Sequence, residues 1–232
     1  MSLSIRVGGM VPLTTIDYPD HLSCVIFCQG CAWRCHYCHN PDLIAPTGSN
    51  ELDWQEVLRF LGKRRGLLQA VVFSGGEATM QPGLAAAMQQ VRELGFKVGL
   101  HTAGIKPGAL LKVLPLCDWV GFDVKAPYGK AQQVTGIIGS DAANWQSLQY
   151  LLGSGVDYEC RTTVHWQLLQ PDDLRALARQ LRERGVQRFA VQLARDGNLL
   201  NEQLKPQQVP AEAGLLWQEL AAVFPHFELR EG

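Results

Sequence analysis

Short runs of apolar residues, many of them β-branched or aromatic, alternate along the chain with longer amphipathic stretches. The short runs have the length and composition of β-strands. They are Leu22–Phe27, Ala70–Phe73, Lys97–His101, Trp119–Asp123, Tyr158–Val164 and Arg188–Leu193. The longer stretches have the three-to-four-residue spacing of apolar positions that is typical of helices. They are Asp53–Arg64, Gln81–Leu94, Pro107–Leu114, Asn144–Leu152 and Pro171–Arg184.

This strand–helix alternation predicts parallel strands joined by crossover helices, which is an α/β fold. Periodicity alone leaves open whether the sheet is flat and doubly wound or curved like a barrel. Asp53 is a predicted helix N-cap, and either Asp141 or Asn144 is another. The polar residues Glu202–Pro210 predict a loop before a last helix, Glu212–Val223. The pattern contains no linker and no internal repeat, so we expect a single domain.

Composition and charge narrow the classes of protein to be considered. Apolar residues make up 47% of the chain and charged residues 19%, which is ordinary for a globular protein. The net charge of −1 gives no electrostatic reason to expect nucleic acid or a membrane as partner. No run reaches the roughly 18 apolar residues that span a bilayer, and residues 1–10 do not resemble a signal peptide. We therefore expect a cytoplasmic protein.

Five of the seven cysteines lie in the segment Cys24–Cys38, and such clustering favours metal ligands over disulfides. Cys31, Cys35 and Cys38 have the spacing C-x3-C-x2-C in a polar loop that Gly30 introduces. Three thiolates from one short loop can converge on one metal centre. An iron–sulfur cube usually takes four Cys ligands. Three ligands leave one iron open, much as a catalytic zinc keeps an open position.

The same spacing also occurs one step earlier, at Cys24, Cys28 and Cys31. Cys24 and Cys28 share one face of a strand, which rises about 3.3 Å per residue and cannot wrap ligands around a cluster. We interpret these two as small buried apolar residues, and Cys117 and Cys160 as structural. For the later triplet, the alternative is a zinc knuckle or a set of reactive thiols.

The run Gly30-Cys-Ala-Trp-Arg-Cys-His-Tyr-Cys-His-Asn-Pro41 resembles the cysteine motif of radical S-adenosylmethionine (SAM) enzymes. Tyr37, before the third cysteine, is typical of that superfamily. His39-Asn40-Pro41 is typical of its activating enzymes for glycyl radical proteins. The opening Gly8–Pro19 is similar to that of the short activases of anaerobic ribonucleoside-triphosphate reductase. The resemblance covers most of the chain and implies a single radical SAM domain over residues 1–232, folded as a partial (β/α)6 TIM-like barrel.

Further segments match the superfamily where predicted strands end. Gly75-Gly76-Glu77 resembles its GGE motif, which implies that the backbone and the carboxylate hold the methionine amino group of SAM. Glycines also permit close approach of a ligand, and a carboxylate suits an ammonium. Thr102 begins a segment that resembles Thr-Asn-Gly, although Ala103 replaces the Asn. Because ligands gather beyond the C-terminal ends of parallel strands, these segments should meet at one site.

Asp123 and Lys125 resemble the Asp-x-Lys pair of activases, which implies contact with the methionine carboxylate, for Asp123 directly or through a cation. A strand-end salt bridge is the alternative. Arg161 is a charge within an apolar strand, so it predicts a polar cavity or partner and is a further candidate for SAM contact. We interpret His165, at the end of the same strand, as an ordinary surface or capped histidine rather than a cofactor contact, and Gln192 as a candidate adenosine contact. The resemblance thus implies cofactor contacts from Tyr37, Gly75, Gly76, Glu77, Thr102, Asp123, Lys125 and Arg161.

The resemblance implies one [4Fe–4S] cluster that reductively cleaves SAM to methionine and a 5′-deoxyadenosyl radical, which takes a hydrogen atom from a glycine of a partner enzyme. The cofactors do this chemistry, so we expect no catalytic side chain beyond the cluster ligands. We expect anaerobic ribonucleoside-triphosphate reductase as partner. The remaining cysteines do not form a second set, so the electron should come from flavodoxin or ferredoxin. The alternatives are a small-molecule synthase such as 7-carboxy-7-deazaguanine synthase and a zinc-stabilised interaction module.

Overall fold

The computed structural model describes residues 5–231, and its strands form one sheet whose spatial order follows the chain order. The first neighbouring pair of strands is antiparallel, and every later pair is parallel. The strands are β1 Val7–Thr14, β2 Ser23–Cys28, β3 Ala70–Gly75, β4 Lys97–Thr102, β5 Trp119–Asp123, β6 Asp157–Val164, β7 Arg188–Leu193 and β8 His226–Arg230. This mostly parallel α/β sheet confirms the predicted fold class.

At least one helix crosses over between each pair of parallel strands. The α-helices are α1 Trp54–Gly62, α2 Leu84–Glu93, α3 Pro107–Val113, α4 Gln132–Thr135, α5 Ser140–Leu152, α6 Pro171–Glu183 and α7 Ala213–Val223. Short 3-10 turns occur at Pro41–Leu43, Ala78–Met80 and Leu114–Leu116. Among residues 5–231, no helix combines the length and the apolar character needed to cross a membrane.

The predicted strands correspond to β2–β7, and the sheet gains one further strand at each edge. β1 contains Gly8, Gly9 and Pro12, which weaken strand propensity, so its residues give no strand pattern. Its pairing with β2 decides its conformation. β8 is short, and its half-buried Phe227 and Leu229 alternate with more polar residues, a faint period of two that sequence reasoning passed over.

Of the two predicted helix N-caps, one is confirmed and one is wrong. The predicted cap at Asp53 is confirmed, since its side chain accepts hydrogen bonds from the backbone N–H groups of Gln55 and Glu56. The predicted cap at Asp141 or Asn144 is wrong, because α5 starts after Gly139. The Asp141 carboxylate instead accepts hydrogen bonds from two backbone N–H groups just before α4, and Asn144 is fully buried one turn inside the helix.

The two faces of the sheet bury different residues. One face packs against the helices and holds the main core, in which Cys24, Cys28 and Cys160 are fully buried. This burial agrees with the interpretation of Cys24 and Cys28 as small buried apolar residues and of Cys160 as structural. The inner face carries a smaller apolar cluster that includes Trp119. Asp123 shares that face of β5, because alternate residues of a strand point the same way, so the inner face becomes polar towards the C-terminal ends of the strands.

Candidate active site

A cavity opens on the inner face of the sheet, at the C-terminal ends of β2 to β6. Its wall is built from the cysteine loop after β2, the ends of β3, β4 and β5, and part of β6. The cavity is lined by every residue for which the resemblance implies a contact with the cluster or SAM: Cys31, Cys35, Cys38, Tyr37, Gly75, Gly76, Glu77, Thr102, Asp123, Lys125 and Arg161. Segments that are far apart in the chain therefore meet where the parallel-strand argument expects them.

The cysteine loop has two faces. Alternate residues from Cys31 to Tyr37 line the cavity, as does Cys38, whereas Ala32, Arg34 and His36 do not. The loop is fixed by backbone hydrogen bonds, because the N–H groups of Arg34 and His36 donate to the carbonyls of the last two residues of α4, at 3.0 and 2.9 Å. The thiols thus face the cavity, and the backbone of their loop is hydrogen-bonded to α4 on the opposite side.

The three cysteines are partly buried, and this shifts the titration of two of them. Burial raises the pKa of the Cys31 thiol to about 12 and also raises the pKa of Cys35. Loading with a metal must therefore release protons, since the thiolate is the ligand. Among residues 5–231, no three His, Cys, Asp or Glu side chains come together closely enough to hold a single metal ion. A cube does not require such a meeting point, because each thiolate binds a different iron.

Gly75 and Gly76 are needed for contact between two segments of backbone. Gly75 has a φ of +107°, and a Cβ there would lie 2.4 Å from the backbone N of Cys28. A Cβ on Gly76 would lie 2.4 Å from the carbonyl oxygen of Gly30. The backbone N–H groups of Gly76 and Glu77 donate to the Cys28 and Gly30 carbonyls, at 2.9 and 3.0 Å. Sequence reasoning assigned the glycines to a ligand, but in the structure they also seat the start of the cysteine loop against β3.

Glu77 is buried and its two carboxylate oxygens are used unequally. Oε1 accepts from the backbone N–H of Thr79 at 3.0 Å, from its hydroxyl at 2.6 Å, and from the Thr102 hydroxyl at 2.5 Å. Oε2 accepts from the backbone N–H of Ala103 at 3.0 Å. The carboxylate thus ties the end of β3 to the end of β4, and Oε2 keeps acceptor capacity for a further donor.

Asp123 is shared between two buried cations. Its Oδ2 lies 3.1 Å from the Lys125 ammonium, and its Oδ1 accepts from Nε of Arg161 at 3.0 Å. The absence of a side chain at Gly121 leaves room for the guanidinium, because a Cβ there would lie 2.9 Å from the Arg161 Cζ atom. Burial alone would raise the pKa of Asp123, but the two cations outweigh it and hold the pKa well below its usual range. Burial likewise opposes the charged form of Lys125, yet Asp123 raises its pKa.

Two residues that sequence reasoning missed help to build the cavity. His101 lines it, and its Nε2 donates to the backbone carbonyl of Asp17 at 2.9 Å. Burial, aided by the Arg161 charge, lowers the pKa of His101 to about 3. Asn144, on α5, donates to the carbonyls of Ala103 and Asp123 at 2.7 and 2.9 Å. The sequence offered Asn144 only as a possible helix N-cap, so its role behind the cavity became visible in the structure alone.

His165 and the candidate adenosine contact Gln192 do not line the cavity. His165 is fully buried, and its Nδ1 accepts from the backbone N–H of Gln167 at 3.3 Å, so it stabilises the turn after β6. The expectation of a surface histidine is therefore wrong, because the side chain is enclosed by the core. Gln192 lies towards the sheet edge, paired in register with Arg230 of β8. The cavity is therefore formed without either of them.

Residues 25–181 match the model of the radical SAM superfamily, which is about two thirds of the chain. The chain belongs to the radical SAM superfamily. As in the rest of that superfamily, its cofactors are a [4Fe–4S] cluster and SAM, and it is an enzyme. This membership sets aside the alternative of a zinc-stabilised interaction module, which leaves the Gly75–Glu77 segment and the polar cavity without a purpose.

Relatives of this radical SAM chain include activating enzymes. A Methanocaldococcus jannaschii protein, provisionally named a glycyl-radical enzyme activating enzyme, is 28% identical over 215 residues, covering 89% of this chain and 87% of that protein. The pyruvate formate-lyase-activating enzyme of Clostridium pasteurianum is 34% identical over 125 residues, 52% of each chain. The chain matches about half the length of the pyruvate formate-lyase-activating enzymes.

Solved radical SAM structures share the fold at low identity. Streptococcus suis SuiB bound to S-adenosylmethionine aligns with a TM-score of 0.67 and 15% identity, covering 88% of this chain and 48% of that one. The structure of anSMEcpe with bound AdoMet aligns with a TM-score of 0.65 and 12% identity, covering 87% and 62%. These alignments agree with the predicted partial TIM-like barrel.

The residues of the cavity fit both cofactors of the superfamily. Three thiols on one wall supply sulfur ligands to iron. The cavity also carries the Glu77 carboxylate and the Lys125 and Arg161 cations, which suit the ammonium and carboxylate of an amino-acid zwitterion. The Tyr37 hydroxyl is buried and has no hydrogen-bond partner within the part of the chain that the structure describes. A buried polar atom of this kind is expected beside a ligand.

Proposed function

We propose that this chain is an activase that cleaves SAM and generates a glycyl radical on a partner enzyme. The observation that carries the proposal is the alignment over 215 residues with the M. jannaschii protein, because it covers 87% of that protein as well as 89% of this chain. It therefore extends beyond the cysteine motif that all branches of the superfamily share. When bound, the cluster and SAM supply an electron and a 5′-deoxyadenosyl radical that removes a hydrogen atom.

The side chains of the cavity bind and orient. In this proposal Cys31, Cys35 and Cys38 are the thiolates that hold three irons. The Glu77 Oε2 atom accepts from the methionine ammonium, because Oε1 already has three donors from the chain. Gly76 lets the Gly30 and Leu43 carbonyls approach the backbone next to Glu77.

The methionine carboxylate lies towards the two buried cations. Lys125 and Arg161 attract it, and Asp123 fixes their positions by bonding to both. Tyr37 supports this side, since the Lys125 ammonium lies 5.6 Å from the centre of its ring. Thr102 positions the Glu77 carboxylate through its hydroxyl. Asp123 therefore acts on SAM through its neighbours, and both of its oxygens are engaged without a bound monovalent cation.

The finer part of the proposal is the identity of the partners. The opening Gly8–Pro19 resembles that of the activases of anaerobic ribonucleoside-triphosphate reductase, so we infer that this reductase carries the glycine. The electron donor is flavodoxin or ferredoxin, because four of the seven cysteines are buried in the core, outside the cavity wall. A cytoplasmic location belongs to the same proposal, since thiolate ligands need a reducing compartment.

The test mixes the reconstituted protein with anaerobic ribonucleotide reductase, SAM and a reductant under oxygen-free conditions. We expect the electron paramagnetic resonance signal of a glycyl radical on the reductase. Pyruvate formate-lyase is the matched alternative substrate. A radical on the lyase with none on the reductase would reject the proposed partner. Formation of 5′-deoxyadenosine with no radical on either protein would reject the activase function.

A second candidate is a synthase that acts on a small molecule. The 7-carboxy-7-deazaguanine synthase of Thermococcus kodakarensis is 29% identical over 126 residues, 45% of this chain and 49% of that one. Its alignment is shorter than that of the M. jannaschii protein, which favours the activase. Turnover of the synthase substrate by the reconstituted protein, measured by mass spectrometry, would decide for the synthase.

A further inference from the structure

The cysteine loop separates two environments. Its inner residues line the cavity, where SAM and the reacting glycine must meet, while Ala32 and Arg34 on the other side are exposed. An electron that enters from the outer side crosses only the thickness of the loop to reach the thiolates. The outer side is therefore the short route for electron entry that leaves the cavity free.

Arg34 is a fixed cation on this outer side. Its guanidinium donates to the carbonyls of Cys31 and Trp33 at 2.8 and 2.9 Å, so an exposed side chain is nevertheless tethered. A tethered arginine loses less side-chain entropy when it binds a partner than a free one does. It is also the charge nearest in sequence to two cluster ligands, since it directly precedes Cys35.

An exposed apolar side chain lies on the loop that adjoins the cysteine loop. Ile138 is 82% exposed on the loop between α4 and α5. That loop touches the cysteine loop, because a Cβ on Gly136 would lie 3.3 Å from the Arg34 carbonyl oxygen. Gly136 and Gly139 both have left-handed backbone conformations, and the Thr135 hydroxyl accepts from the backbone N–H of Ile137 at 3.3 Å. The loop is thus ordered, and it presents Ile138 without covering it.

We propose that Arg34, on the outer face of the cysteine loop, and Ile138, on the adjoining loop between α4 and α5, form the docking surface for an acidic one-electron carrier protein. This inference rests on the proposed function for the need of an outside donor. The pairing of a cation with an apolar residue suits a partner with carboxylates around an apolar centre, and arginine is enriched among residues that dominate binding energy. With a net charge of −1 the chain exerts little long-range attraction, so the local cation decides orientation. In the step itself, one electron leaves the carrier and enters the cluster, and no bond forms or breaks.

The experiment uses the reconstituted holoenzyme, with reduced flavodoxin as the acidic probe and dithionite as a small reductant that needs no docking surface. The measured quantity is the ratio of SAM cleavage rates with the two reductants. Flavodoxin binding is followed separately by isothermal titration at low and high salt. The test variants are Arg34→Glu and Ile138→Glu. The controls are Arg179→Glu and Leu111→Glu, which replace an exposed cation of α6 and an exposed apolar residue of α3.

We expect the flavodoxin-to-dithionite ratio to fall by about tenfold or more in both test variants, the loss of an average binding hot spot. The controls should match the wild type. Flavodoxin binding should weaken with salt in the wild type and lose most of that dependence in Arg34→Glu. A ratio close to that of the wild type in either test variant would overturn the proposal, and so would an equal loss in the controls.

Two further outcomes separate this inference from the proposed function. If the test variants lower the yield of glycyl radical with dithionite but leave the ratio unchanged, the surface binds the radical partner, and the inference fails. SAM cleavage to 5′-deoxyadenosine needs no protein partner, so the ratio can be measured even if the reductase is not activated. Failure of the activase assay therefore leaves the docking result intact.

Discussion

Replacing Asp123 by Asn should destabilise the chain strongly, because it leaves two buried cations without a counter-charge. Lys125 and Arg161 are 8% and 7% exposed, and both contact the same carboxylate. Removing one partner of a buried ion pair costs about 3–5 kcal/mol. The Asp123 side chain keeps 25% exposure, so we expect the lower end, about 3 kcal/mol. For a chain of this size that loss lowers the unfolding midpoint by about 6–12 °C.

The assay is urea unfolding of the metal-free chain, followed by tryptophan fluorescence, so that loss of the cluster does not enter. The pKa of Asp123 is lowered on folding, so its stabilisation is complete above its ordinary value of 3.8 and is lost as the pH falls towards the folded value. The difference between wild type and Asp123→Asn should thus be constant at neutral pH and shrink in strong acid. The matched control is Asp172→Asn, whose carboxylate is 93% exposed and should give no resolvable change.

A second substitution tests the reasoning about uncompensated charge. Adding Arg161→Gln to Asp123→Asn removes one of the two stranded cations, so the double variant should recover part of the lost stability. Additive losses would refute the idea that the three residues form one electrostatic unit. If the free energy of unfolding of Asp123→Asn alone lies within about 1 kcal/mol of the wild-type value, the estimate from burial is refuted.

Three further predictions follow from the site. Gly76→Ala should cost about 1–3 kcal/mol through backbone collision and lower the iron content after reconstitution, whereas Gly108→Ala, where a Cβ meets nothing within 4 Å, should keep both. Cys35→Ala should abolish the visible absorption of the cluster and Cys24→Ala should retain it; equal loss in both would show that the wrong triplet is assigned. His101 is held neutral by burial and its folded pKa is depressed, so unfolding measured between pH 6.5 and 3 should show stability falling as the pH falls, by up to about 1.4 kcal/mol per pH unit, with a shallower slope in His101→Gln.

The sequence was informative where local pattern and local chemistry coincide. β2 to β7 were predicted because a parallel strand buried on both faces reads as an apolar run. β1 could not be predicted, because Gly8 and Pro12 have low strand propensity and only pairing with the neighbouring β2 decides its conformation. The same division holds for the site. The cysteines and the Gly75–Glu77 segment are contiguous motifs, so they were visible in the sequence.

Other parts of the site depend on contacts between distant segments. His101 is defined by a hydrogen bond to a carbonyl 84 residues away. The reason for Gly76 became clear only when the loop that starts at Gly30 was seen against it. Ala103 looked like the loss of a polar contact, yet its backbone N–H and carbonyl make the polar contacts themselves, to Glu77 and Asn144. A backbone contact leaves no residue-type signal in a single sequence.

Asn144 ties two cavity-lining segments, those that follow β4 and β5, to helix α5, which does not line the cavity. Its amide donates to the Ala103 and Asp123 carbonyls, and its Oδ1 accepts from the Lys125 backbone N–H at 3.2 Å. Grafting the segments after β4 and β5 into another protein would therefore require α5 to be grafted with them. A chimera that exchanges the two strand ends while keeping a foreign helix would lose the alignment of both segments at once.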